Sequence, residues 1–81
     1  MGKKHIERDD LLIGVEVFSL CKNRSRTLIE ITEGIYGNNM YKNVTRVYRC
    51  LEVFMKHGLV VPVFKDRVLS FKLNGDNNKV N

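Results

Sequence analysis

No stretch of this sequence approaches the roughly 20 consecutive apolar residues of a membrane-spanning helix. The start, Met1-Gly2-Lys3-Lys4-His5, has no apolar secretory core behind it. An intracellular, cytoplasmic chain with no membrane contact is expected. Proline occurs once and glycine six times, which excludes collagen-like and low-complexity architectures. There are only two cysteines, Cys21 and Cys50, with no C-x-x-C pair and no neighbouring histidine pair, so no zinc site is expected. They read as small reduced apolar residues, and a bridge between them would close a loop of about 30 residues and contribute roughly 3–4 kcal/mol through chain entropy. His5 and His57 are far apart, and no Ser/His/Asp set, P-loop or GxGxxG run occurs. No catalytic residue, metal, cofactor or small-molecule substrate is therefore expected, and the chain does not read as an enzyme. Gly2 does not signal myristoylation, since Ile6 stands where that motif needs Ser or Thr.

What is present is a globular composition of one small domain's length: 81 residues, 43% hydrophobic and 28% charged. The net charge of +5 is unevenly placed. Residues 1–41 hold six basic and six acidic side chains, which cancel. Residues 42–72 hold seven basic (Lys42, Arg46, Arg49, Lys56, Lys65, Arg67, Lys72) against Glu52 and Asp66, so the whole excess lies there. Segregation of this kind favours an anion-facing surface.

Periodicity divides the chain into a segment at 1–8 expected to be flexible, a folded domain at 9–73 and a tail at 74–81 with almost nothing to bury. Asp9-Asp10 suits a helix start, and a first helix is expected from about 9 to 22. Its apolar residues form two stripes at i, i+4, i+7: Leu11, Val15 and Phe18 on one, Ile13, Val17 and Leu20 on the other. Spacing alone leaves open which stripe faces the core. Thr27-Leu28-Ile29-Glu30 is a capping box opening a helix over about 28–36, stopped by Gly37-Asn38-Asn39. Asn43 is expected to cap a third helix over about 43–57, with Val44, Val47, Leu51 and Phe54 as its apolar edge and Gly58 as its terminator. Residues 60–64 and 68–73, rich in β-branched and aromatic types, form a hairpin about Lys65-Asp66-Arg67. Pro62 marks its strand as an edge.

Three helices followed by a hairpin is an α+β order, that of a three-helix winged helix-turn-helix with a C-terminal β-hairpin wing. The segment Arg46-Val47-Tyr48-Arg49-Cys50-Leu51-Glu52-Val53-Phe54-Met55-Lys56-His57-Gly58-Leu59-Val60 resembles the recognition-helix signature of winged-helix transcriptional regulators. In that signature an apolar residue, an arginine two later, a leucine, another apolar residue and a closing Gly-Leu-Val recur. Val47, Arg49, Leu51, Phe54 and Gly58-Leu59-Val60 fill those places. Thr27 to Glu33 is similar to the family's positioning helix, and the likeness extends over about 10–73, where the chain resembles small archaeal, viral or plasmid regulators. The chain departs from the compact form between Ile31 and Val47, where Gly37 to Lys42 is additional.

The resemblance implies sequence-specific binding of double-stranded DNA as a transcriptional regulator. At 100° per residue, Thr45, Arg46, Arg49 and Lys56 lie opposite the apolar edge of the third helix. Arg46 and Arg49, with Thr45 and Asn43, are the base-reading candidates, because arginine matches guanine O6 and N7 in the major groove. Lys42, Tyr48, Lys56, Lys65, Arg67, Arg24 and Arg26 are candidates for the DNA backbone. Two apolar stripes on one helix exceed the need of one small core, so a homodimer is expected through that helix, with Ile13, Val17 and Leu20 as interface candidates. The alternative is a winged helix serving protein contacts in a larger nucleic-acid-processing assembly.

Overall fold

The computed structural model describes residues 2–75, and the side chains of residues 12–75. It is a small α+β domain in the order α1 (Gly2–Cys21), β1 (Arg26–Thr27), α2 (Leu28–Tyr36), α3 (Tyr41–Lys56), β2 (Val60–Lys65) and β3 (Val68–Leu73). The strands form one antiparallel sheet in the order β1-β3-β2. Most of the tail expected to fray, residues 76–81, lies outside the described residues.

α1 begins at Gly2, not near residue 9. Residues 3–8 contain no proline or glycine and include the straight-chain Lys3, Lys4, Glu7 and Arg8, which continue a helix at little cost. Asp9-Asp10 is thus interior to the helix. The stripe that packs inward is Ile13, Val17 and Cys21, all buried, with Leu20 half-buried beside them. This corrects the interface candidates: Ile13 and Val17 belong to the monomer's core, and Leu20 packs against that core. Close approach of the helices selects this stripe. A Cβ on Gly14 would lie 3.0 Å from the Phe54 ring of α3, and one on Gly34 of α2 would lie 2.9 Å from Leu20. Among the described residues, the apolar side chains left exposed on α1 are Leu12, Val15 and Phe18, and Phe18 meets Phe54 with ring centroids 4.9 Å apart.

The capping box of α2 forms as expected: the Thr27 hydroxyl accepts from the Glu30 amide (3.1 Å) and the Glu30 carboxylate accepts from the Thr27 amide (2.9 Å). An N-cap needs extended backbone, and Thr27 at φ −75°, ψ 163° supplies it together with a strand. Arg26 and Thr27 pair with Phe71 and Ser70 of β3. This two-residue strand was not expected from the sequence. Ile31 and Thr32 are buried, and the Thr32 hydroxyl donates to the Leu28 carbonyl at 2.8 Å. Gly37 ends the helix at φ 76°, a left-handed position that glycine occupies without steric cost.

α3 starts two residues before Asn43, with Met40 as an N-cap whose side chain makes no capping bond. The additional residues between α2 and α3 therefore shrink to a turn over Gly37–Met40, the remainder extending the helix. Asn43 is 8% exposed and its Nδ2 donates to the Asn38 Oδ1 at 2.9 Å, an atom that also accepts from the Met40 amide at 3.0 Å. Asn43 locks the α2–α3 turn and is neither a cap nor available to a ligand. Val47 and Leu51 are fully buried, and Val44 and Phe54 flank them half-buried.

The helix closes on a Schellman arrangement: Gly58 (φ 73°) donates to the Met55 carbonyl at 3.0 Å and Leu59 to the Phe54 carbonyl at 2.9 Å. Asn74, just past β3, fastens this bend. Its amide donates to the Leu59 carbonyl (3.0 Å) and its side chain to the Gly58 carbonyl (2.9 Å). Between β2 and β3 the loop is only Asp66-Arg67, both at positive φ (55° and 65°), the geometry of a type I′ turn. Lys65 pairs with Val68 and Pro62 with Phe71. Counting pairs back from a two-residue turn puts Pro62 at a pair without ladder hydrogen bonds, on the free edge, where its missing N–H costs nothing.

Candidate nucleic-acid interface

With Val47 and Leu51 turned into the core, the opposite side of α3 is set by the 100° step of the helix. Lys42, Arg49 and Lys56 run along it at intervals of seven residues, about 10 Å apart along the axis, and all three are exposed. Arg46 and Val53 stand on one flank and Thr45 and Glu52 on the other. Arg46 and Thr45 are half-buried, whereas Arg49 is exposed. Tyr48 is also exposed and, with Arg49, Glu52, Val53, Met55 and Lys56, lines a shallow depression on the outer side of the helix. The cations thus lie on a rigid element whose reverse face is the domain's core.

Val53 is the member of this surface that composition conceals. It is 51% exposed amid charged neighbours, although valine usually lies inside. Its position about 160° from Leu51 on the helix is the mark by which it can be found in the sequence.

Lys65 and Arg67 are exposed at the hairpin tip. The two arginines before α2 are differently employed. Arg26 Nε donates to the Leu20 carbonyl at 2.9 Å, satisfying one of the orphan acceptors at the end of α1. Its Nε therefore serves the fold. Arg24 lies 3.8 Å from the Glu30 carboxylate in an exposed pair that contributes little to stability. Glu30 is itself committed to the capping box, so the α2 N-terminus presents a carboxylate beside Arg24.

Cys21 and Cys50 are not joined by a disulfide. Burial pushes the Cys21 thiol up, and the neighbouring Arg26 guanidinium partly opposes that shift; a thiol held protonated is a poor nucleophile. Among the described residues no group of three His, Cys, Asp or Glu side chains is placed to hold a metal ion, and no helix is long and apolar enough to cross a membrane. In comparisons with protein-family models, curated proteins and solved structures, the chain matches none.

Proposed function

We propose that the chain is a winged helix-turn-helix protein that binds double-stranded DNA and regulates transcription, with α3 in the major groove and the β2–β3 hairpin as the wing. The observation that carries this reading is the cationic line Lys42-Arg49-Lys56 on the side of α3 opposite its core face, within the segment that holds the chain's whole net charge. An α-helix fits the major groove of B-DNA, and an exposed arginine on the outermost face has the reach to read guanine. The order of helices and the three-stranded antiparallel sheet are compatible with a winged-helix layout.

In this reading Arg49, with Arg46, reads bases and Thr45 assists, while Lys42, Lys56, Lys65 and Arg67 contact the backbone. Arg49→Ala is expected to weaken binding to a selected duplex by roughly 1–3 kcal/mol and to relax preference at one or two base pairs. Lys65→Ala should weaken all duplexes alike. Binding-site selection repeated on both variants measures this, and unchanged preference in Arg49→Ala would remove α3 from the major groove.

Two-fold symmetry would present two copies of α3 to half-sites about one DNA turn apart. Of the stripe Leu11, Val15 and Phe18, Val15 and Phe18 are exposed and open to such a homodimer, with Leu12 exposed beside them, while the Leu11 side chain lies outside those described. A second reading, a protein-binding winged helix, is favoured by exposed Tyr48 and Val53 on the same outer face. Unchanged affinity for a partner protein in high salt, with no DNA binding in low salt, would establish it instead.

A further inference from the structure

The face of the hairpin that forms the core at its base stays apolar beyond the core. Side chains alternate along a strand, so Val60, Pro62 and Phe64 share one face of β2, and Leu69, Phe71 and Leu73 the same face of β3. Val60 and Phe71 are buried. Toward the tip, Phe64 is 72% exposed and Leu69, its partner across the ladder, 46%. Counting from the Asp66-Arg67 turn, Phe64 and Leu69 form a pair without ladder hydrogen bonds, the kind in which facing side chains come closest. The result is an apolar ledge next to a tight turn, with exposed Lys65 and Arg67 immediately beyond it. Asp66 is the one acidic residue between 60 and 72.

We infer that Phe64, backed by Leu69, is an apolar wedge that enters the minor groove of duplex DNA, partly unstacks a base step and bends the duplex. This rests on the DNA-binding reading and adds a mode of binding to it. Three observations select this occupant. The cations beside the ledge suit a polyanion, since Lys65 and Arg67 can hold the phosphates flanking an opened step. Pro62 interrupts the donors on the free edge of β2, which disfavours an added strand from a second copy or another protein. The two-residue turn makes the tip narrow and stiff, as insertion between bases requires. Proteins that bend DNA from the minor groove commonly use Phe, Leu, Ile, Met or Pro in this way.

The test uses a duplex of about 30 base pairs carrying dyes at both ends and 2-aminopurine at successive positions across the bound site. Wild type should raise end-to-end energy transfer and brighten 2-aminopurine at one step. Phe64→Ala removes an exposed side chain, so circular dichroism should be unchanged. It should abolish both signals and weaken binding roughly tenfold, because the bend that brings more of the duplex onto the protein is lost, while the slope of affinity against salt stays as in wild type. Lys65→Ala should instead lower that slope by about 1, one phosphate contact. Wild-type binding without bending, or bending retained in Phe64→Ala, overturns the wedge and leaves the DNA-binding reading standing. Failure of wild type to bind any duplex in low salt overturns both. A change in sedimentation of Phe64→Ala in the absence of DNA would assign the ledge to a protein interface and overturn the wedge.

Discussion

Val17→Glu is expected to lose most or all of its folding stability at neutral pH, whereas Val15→Glu, two residues along the same helix, should fold normally. Val17 is fully buried among the core residues of all three helices, and Val15 is 66% exposed. An unpaired carboxylate in such a core costs about 3–5 kcal/mol, against a total stability of roughly 4–12 kcal/mol for a domain of this length. The larger side chain adds overpacking to that cost. Far-ultraviolet circular dichroism and urea titration would measure the difference. Lowering the pH toward about 4.3, the ordinary glutamate pKa, should recover part of the loss in Val17→Glu. The buried carboxyl has its folded pKa raised, so the penalty is full above that raised value, shrinks as the folded chain takes up the proton on acidification, and levels off once the unfolded chain is protonated too. Val15→Glu separates folding from assembly. If the outward stripe of α1 joins two copies, this variant sediments as a monomer while wild type remains a dimer at tens of micromolar. A native Val17→Glu variant would mean that the inward stripe had been misassigned.

The second large effect is on DNA binding. Lys42, Lys56, Lys65 and Arg67 at phosphates, together with the base-reading Arg46 and Arg49, whose charges displace counterions from the same groove, bring five or six cations to the duplex and predict a log–log slope of affinity against salt on the order of −5. Between 50 and 200 mM salt that is a loss of about a thousandfold. Fluorescence anisotropy with a labelled duplex across that range is the measurement. A flat dependence would contradict the role given to the basic segment, because counterion release follows from neutralising phosphates whatever the base sequence.

Features governed by neighbours in sequence were legible before the structure. Thr27 and Glu30 are three residues apart and complete each other's hydrogen bonds, so the start of α2 could be placed to the residue. Gly37 and Gly58 end their helices at positive φ, a local demand that points to glycine. Features decided across the fold were not legible. The two stripes of α1 have the same spacing, and the choice between them depends on Phe54 lying over Gly14, forty residues away in sequence. β1 is too short to show alternation and exists because Phe71 and Ser70 offer it a partner. Asn43 has the chemistry of a cap, but the geometry of the turn directs it to Asn38. Arg26 resembles its neighbour Arg24 in sequence, yet only Arg26 reaches the end of α1. For the candidate site, the outer cations of α3 follow from helical periodicity, whereas the exposure of Phe64 depends on where the hairpin outruns the helices, which strand composition does not show.

The two bonds from Asn74 bear on spacing. They fasten the base of the hairpin to the bend where α3 stops, so the joint between helix and hairpin is held by hydrogen bonds as well as by the chain itself. In the proposed complex with DNA, a domain built this way would act as a fixed-length caliper. The stretch of duplex between helix and hairpin would then need one length and one helical phase, and inserting a single base pair there would turn one contact about a tenth of a revolution away from the other. Asn74→Ala would loosen the caliper, so that a protein able to reject a target lengthened by one base pair would begin to accept it.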